Sequence, residues 1–247
     1  YGAVGPIKCN WIGHWRSSDF IFTAVPESFG INSAKVKVVG HGVNTELFSC
    51  PVRVMDKKDK IILTMVSRIA PIKHLETMIK AIPNIKEKTK KSVELRIISR
   101  LPKEDDAYYL MLKKLIVRLG VENEVKFLGA IAGRELPRYY CESDMTINLT
   151  PTGGLDKTIL ESMSCGVPFI SSNKALMPLM GQYSEDLLVD YDNPDIVAEK
   201  VTAFLNERPK GLSDYLLEES RKEYSYRMLI KKIVGIYFFG NKELNII

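Results

Sequence analysis

Asp144–Met145–Thr146–Ile147–Asn148–Leu149 runs through Thr150 into Pro151–Thr152–Gly153–Gly154–Leu155–Asp156–Lys157–Thr158–Ile159–Leu160–Glu161–Ser162–Met163–Ser164–Cys165–Gly166–Val167–Pro168, and then into Phe169–Ile170–Ser171–Ser172. An apolar run of strand length enters a glycine loop. The loop opens a short helix, and a Gly-x-Pro break leads to a second strand. Such a loop presents unpaired backbone N–H groups and the positive end of a helix dipole, a ready site for phosphate. Glu161 sits one turn further in, where a carboxylate can accept from ribose hydroxyls. The plainer reading is an ordinary helix start with Asp156 as its N-cap. This segment alone leaves both readings open.

The same alternation extends outward in both directions from about residue 60, which predicts an α/β fold: a Rossmann-like parallel sheet with helices on both faces. Ile61–Val66 is a continuous apolar run, as a strand buried on both faces requires. Lys73–Lys88 carries Leu75, Met78, Ile79 and Ile82 at helical spacing. Val93–Ser99 reads as a strand, and Asp105–Leu119 as a helix closed by Gly120. Glu124–Leu128 reads as a strand, Gly133–Cys141 as a short helix, Leu187–Val189 as a strand, and Asp195–Asn206 as a helix. Before this body, Asp19–Ala24 with Pro26–Gly30 reads as a strand and a turn of helix from a preceding unit, and Gly40–Asn44 as a turn-rich linker. After it, Tyr226–Phe239 is a helix whose apolar and aromatic face exceeds what this unit needs. The expected organisation is therefore 1–48, 49–225 and 226–247.

Composition narrows the function classes. In 247 residues, 45% are hydrophobic and 26% charged, which supports a packed core and argues against disorder. A net charge of +5 is too mild to argue for nucleic acid; it suits an anionic nucleotide or a loose contact with an acidic membrane face. The densest basic run, Lys86–Lys91, reads as a solvated helix end. Cys9, Cys50, Cys141 and Cys165 contain no Cys-x-x-Cys, and their spacing predicts neither zinc nor a disulfide framework. Cys141 and Cys165 read as buried thiols, and a cytoplasmic, reducing setting is expected. No stretch reads as a signal peptide or a membrane span. The chain begins at Tyr1 in mid-pattern, as expected of a piece of a longer protein.

In a parallel sheet the loops after the strands gather at one edge, where ligands bind. Two loops here carry complementary chemistry. Ser67–Arg68–Ile69–Ala70–Pro71–Ile72–Lys73 follows the first strand of the body, and its Arg fork and Lys point charge suit a diphosphate. The glycine loop and Glu161 follow the fourth. Taken alone, Arg68 and Lys73 read equally as solvated loop charges.

The order of the motifs carries more. Val38–Val39–Gly40–His41–Gly42–Val43–Asn44–Thr45–Glu46–Leu47–Phe48, then Ser67–Arg68 through Lys73, then Val125–Lys126–Phe127–Leu128–Gly129, then Gly154 through Pro168, resembles the carboxy-terminal half of retaining family-four glycosyltransferases of the GT-B fold. The resemblance covers about residues 19 to 239. It implies a nucleotide-sugar-binding domain in which Arg68 and Lys73 neutralise the donor diphosphate, Glu161 holds the ribose, and backbone near Gly153, Gly154, Lys157 and Thr158 meets phosphate. Ala130 and Ile131 would line the base. It also implies no obligatory metal or other cofactor, with Arg68, Lys73 and the helix N-terminus in the metal's part. The partners implied are a nucleoside-diphosphate-sugar donor and a sugar or lipid-linked acceptor, at the inner membrane face if the association is peripheral. The helix at 226–247 would pack across an amino-terminal domain, leaving Trp11 and Trp15 exposed when that domain is absent.

This chain departs from the family in one place. The first Glu of the Glu-x7-Glu pattern, which touches the donor sugar, falls on Gly153. Asp156 either substitutes or simply caps the helix. His14, His41 and His74 read as turn or surface residues without catalytic roles. Two other classes stay open: a GT-B nucleotide-sugar epimerase, and a non-catalytic nucleotide-binding or interaction module.

Overall fold

A computed structural model describes residues 18–24, 32–50, 59–151 and 154–239. Cys9, Trp11, His14, Trp15, Pro26–Gly30 and Gly153, all singled out above, lie outside the described residues.

A two-stranded parallel sheet comes first, from β1 (Ile21–Thr23) and β2 (Val36–Val38). The body of the molecule is a second, five-stranded sheet. Its strands are β3 (Lys60–Val66), β4 (Ser92–Ile98), β5 (Val125–Gly129), β6 (Met145–Asn148) and β7 (Phe169–Ser171). They lie in the order β5-β4-β3-β6-β7, all parallel. Burial differs between the two edges of the sheet, β5 and β7. Ile61–Met65 of β3 and the whole of β6 and β7 are buried, whereas β5 leaves Lys126 exposed. A parallel strand covered on both faces needs an unbroken apolar run, which is what the sequence supplies.

Helices follow the strands. They are α1 (Leu75–Thr89), α2 (Ala107–Leu119), α3 (Leu136–Glu142), α4 (Lys157–Ser164), the short α5 (Met177–Met180) and α6 (Ser184–Leu187), α7 (Pro194–Asn206), α8 (Leu212–Glu223) and α9 (Tyr226–Phe239). Asp106 caps α2 through the Tyr109 N–H, and Gly120 ends it in the left-handed conformation. α1 packs between α2 and α7, and α4 packs against α8. Leu75, Met78, Ile79, Ile82 and Ile85 of α1 are fully buried, as its apolar stripe requires. The region expected to hold a strand at 187–189 makes only a single bridge, Leu188 to Ser171 at the free edge of β7.

The segment from Val39 to Cys50 fastens to the far end of the chain. Val43 donates to the Tyr224 carbonyl at 2.7 Å and accepts from the Tyr226 N–H at 3.0 Å. Gly42 lies beneath α9, where an added Cβ would come within 2.8 Å of Tyr226 and 3.0 Å of Leu229. The Ser164 hydroxyl at the end of α4 donates to the Phe48 carbonyl at 2.6 Å. Lys86 and Lys88 are paired with Glu124 and Glu199, so two lysines of the basic run have acidic partners. Among the described residues no helix is long and apolar enough to cross a membrane.

The cysteine reading needs correction. Cys50 and Cys141 form a disulfide, joining the segment before β3 to α3 across 91 residues of chain. Spacing could not reveal a pair brought together by folding across three strands. With Cys141 bonded, cysteine usage no longer argues for a reducing compartment.

Candidate functional site

The sheet order has a topological switch between β3 and β6. The chain leaves β3 outward through β4 and β5, then returns to β6 on the opposite side. Loops after the two adjacent strands therefore diverge and leave a crevice at their carboxyl ends. The loop after β3 carries Arg68 and Lys73, and the loop after β6 opens α4.

The two loops meet. Lys73 closes a 3-10 turn over Pro71–Lys73, and its Nζ lies 3.6 Å from Asp156 Oδ2. Both side chains are largely covered, at 17% and 21% exposure. Asp156 is the N-cap of α4: its Oδ1 accepts from the Thr158 hydroxyl at 2.9 Å and the Thr158 N–H at 3.3 Å. Its Oδ2 accepts from Asn148 Nδ2 at 2.5 Å, at the end of β6. One carboxylate thus joins a strand end, a helix start and the facing cation. Both of its oxygens are engaged within the protein, which is the cap geometry of the plainer reading. Arg68, by contrast, is exposed and makes no ion pair among the described residues.

Two hydroxyls set the position of α4 on the sheet. Thr146 of β6 bonds Ser162 at 2.6 Å in the buried interior, and Ser162 in turn donates to the Val167 carbonyl at 3.0 Å. Ile159, Leu160 and Met163 are fully buried on the same helix. Glu161 is half-buried, and Tyr140 of α3 donates to its Oε2 at 2.9 Å. Burial raises the Glu161 carboxyl above the usual carboxylate range. The Tyr140 hydrogen bond and Lys157 oppose that rise, and Asp156 adds to it. Lys157, four residues earlier on the same helix, makes no ion pair with Glu161; the partner is a tyrosine 21 residues earlier.

The remaining candidates sit as the topology dictates. Gly154 accepts from Asn173 Nδ2 at 3.2 Å, which ties the glycine loop to the segment after β7. Ala130 is exposed and Ile131 half-buried, both just past β5 at the same edge of the sheet but two strands away from β3. Lys157 opens α4, where its charge is felt by His41.

Sequence reasoning misjudged this edge: it read His41 as a plain turn residue, took the chain to hold no Asp-x-Asp, and passed over two buried hydroxyls. His41 is half-buried; burial first, and then Lys157, lower its pKa, while Asp156 raises it. It therefore belongs to the mouth of α4, not to an isolated turn. Its only sequence signal was its place in the linker, since its neighbours lie more than 110 positions away. Asp190–Tyr191–Asp192 is an Asp-x-Asp with both carboxylates exposed, and Tyr191 packs its ring 4.3 Å from that of His74, beside Lys73. Paired carboxylates can hold Mg²⁺ together with substrate phosphates. Thr150 Oγ1 and Ser172 Oγ, just past β6 and β7, are buried without a hydrogen-bond partner among the described residues.

Residues 60–207 match the family described as glycosyl transferases group 1, and the chain belongs to that family. A GDP-mannose-dependent alpha-(1-6)-phosphatidylinositol monomannoside mannosyltransferase of Mycobacterium tuberculosis is 30% identical over 156 residues, which is 60% of this chain and 39% of that protein. One subunit of the phosphatidylinositol N-acetylglucosaminyltransferase of Arabidopsis thaliana is 21% identical over 208 residues, 84% of this chain and 45% of that one. These matches span less than half the length of either relative. Among solved structures, Anabaena HepE in complex with UDP and glucose superposes with a TM-score of 0.77 at 18% identity, covering 90% of this chain and 64% of that chain. Sucrose-phosphate synthase of Thermosynechococcus elongatus gives 0.74 at 18% identity, covering 89% and 58%. The fold is the Rossmann-like α/β domain of GT-B glycosyltransferases.

Proposed function

We propose that this chain is the donor-binding half of a retaining glycosyltransferase that takes a nucleoside-diphosphate sugar. The observation that carries the reading is the meeting of Lys73 with Asp156 at the switch point, directly over the start of α4. A cation from one loop and the N–H groups of a helix start from the next converge on one small volume, which favours a diphosphate. The diphosphate competes with Asp156 for Lys73 and recruits the exposed Arg68 fork. Its charge grows as the glycosidic bond breaks, so groups aimed at it stabilise the transition state more than the ground state. The unpartnered hydroxyls of Thr150 and Ser172 support a polar ligand at the same edge, since buried polar groups seldom stay unsatisfied. Glu161 has one oxygen committed to Tyr140 and offers the other to a ribose hydroxyl. No side chain here is assigned as a nucleophile; the chemistry is leaving-group stabilisation and front-face transfer with retention.

The donor base and the acceptor follow only from relatives. Their names include GDP-mannose and phosphatidylinositol lipids, and one neighbour was solved with UDP. A lipid-linked acceptor met at a membrane face is accordingly part of the proposal, with the acceptor held mainly by a partner domain across the cleft.

The test is calorimetric titration of GDP and UDP into wild type, Arg68→Ala and Lys73→Ala. Each variant should lose roughly 1.5–3 kcal/mol of diphosphate affinity, the worth of a charge-assisted hydrogen bond. Arg68→Ala should leave the melting temperature unchanged, because its side chain is exposed and unpaired among the described residues. Equal affinity in wild type and both variants returns Arg68 to a solvated loop charge and leaves Lys73 as the structural partner of Asp156.

A further inference from the structure

We propose that Cys50, Cys141 and Cys165 form a binding site for a thiophilic d¹⁰ metal ion when the Cys50–Cys141 bond is reduced. The three sulfurs come from separate parts of the chain: the segment before β3, the last turn of α3, and the C-terminal cap of α4. Folding nevertheless brings all three within 4.8 Å of one another. Cys165 is buried and lies outside the disulfide. Cys50 and Cys141 are half-buried, which gives an ion a way in. Among the described residues this is the one group of three or more His, Cys, Asp or Glu side chains whose ligand atoms converge in this way.

The donor set selects the metal. Three thiolates with no carboxylate or imidazole among them suit Cu⁺ or Zn²⁺ and disfavour Mg²⁺ or Ca²⁺. Zinc–sulfur bonds of about 2.3 Å place tetrahedral ligand sulfurs about 3.8 Å apart, a separation that the cluster spans. The fourth position stays with water. In the oxidised chain two of the three donors are spent on each other, so the site exists only after two electrons are supplied. With a phosphine as reductant, the phosphorus takes oxygen from water and becomes the oxide, and Cys50 and Cys141 each gain a proton. Each of the three thiols then gives its proton to buffer as its sulfur binds the ion.

The location gives such binding a reach into the candidate site. The Cys165 N–H bonds the Glu161 carbonyl at 3.1 Å, and Cys141 adjoins Tyr140, which holds the Glu161 carboxylate. An ion held by these sulfurs would fix α3, α4 and the linker to one another around Glu161.

The experiment uses the phosphine-reduced protein in a Cys9→Ser background, titrated with Cd²⁺ and followed by the ultraviolet thiolate-to-cadmium charge-transfer absorption. One equivalent should bind and raise the melting temperature, and the oxidised protein should show neither effect. Cys165→Ser should weaken binding by at least the roughly ten- to hundredfold that even outer-shell partners are worth. Cys50→Ser, at a half-buried position, serves as the second variant, with far-ultraviolet circular dichroism reporting the fold of each. Binding that is equal in oxidised and reduced protein, or undiminished in the folded serine variants, overturns the proposal.

Discussion

Glu161 shows how one side chain can serve both the fold and the site. Its carboxylate is half-buried against Tyr140, whose ring is fully covered. Burial raises the Glu161 pKa above its ordinary 4.5, so the folded state holds this proton at a pH where the unfolded chain has released it. Folding is then favoured below about pH 4.5, and that contribution is lost as the pH rises through the folded value. Glu161→Gln keeps an oxygen that can accept from Tyr140 but cannot ionise. The melting temperature of the variant minus that of wild type should therefore increase from pH 4 to pH 7. A difference that stays constant across that range would mean the carboxylate is not penalised by burial. Tyr140 itself was invisible as a site residue in the sequence, where it is one more apolar position of a short helix. Lys73 and Asp156 were each singled out there, but their contact follows from strands β3 and β6 being neighbours, which local spacing does not encode.

At the scale of the element, α9 is the clearest case. Its range, Tyr226–Phe239, was legible from periodicity alone, because a helical stripe needs no tertiary information. What lies under it was not. Gly42 sits so close that a Cβ would meet Tyr226 at 2.8 Å and Leu229 at 3.0 Å, and Phe20 places its ring 6.4 Å from that of Tyr237. Ile230, Tyr237 and Phe238 nevertheless stay largely exposed. Gly42→Ala should lower stability by about 1–3 kcal/mol through overpacking, with enhanced amide hydrogen exchange concentrated in α9 and the linker. Uniform destabilisation with no local opening of α9 would show that the glycine is not what lets the two elements approach. Strand boundaries were legible to within a residue or two for β3 and β4, where buried apolar runs leave little choice. The expected strand at 187–189 failed because α6 runs through Leu187, which leaves only Leu188 to bridge to Ser171 of β7.

For the whole molecule, the family's sheet fixes the switch point, and the switch point fixes where Lys73, Asp156 and α4 can meet. The alternation of apolar runs made that sheet legible before any contact was known. The Cys50–Cys141 bond was not legible, because its two ends lie 91 residues apart. That bond also changes the topology of the covalent chain. Residues 50–141 become a closed ring that contains β3, β4 and β5, with the rest of the protein as two tails leaving the same knot. A chain that is partly a ring has no single backbone bond whose loss inside the ring divides it. A site-specific protease sequence inserted after Lys103, in the exposed loop before α2, should on cleavage leave one band under non-reducing conditions and two under reducing ones. The same insertion beyond Glu207 should give two bands in both. Two bands without reductant from the first insertion would show that the ring is open. While it is closed, one side of the sheet survives a break in its own strand-to-helix connections as one molecule, much as a hoop cut once still hangs together as a length of wire.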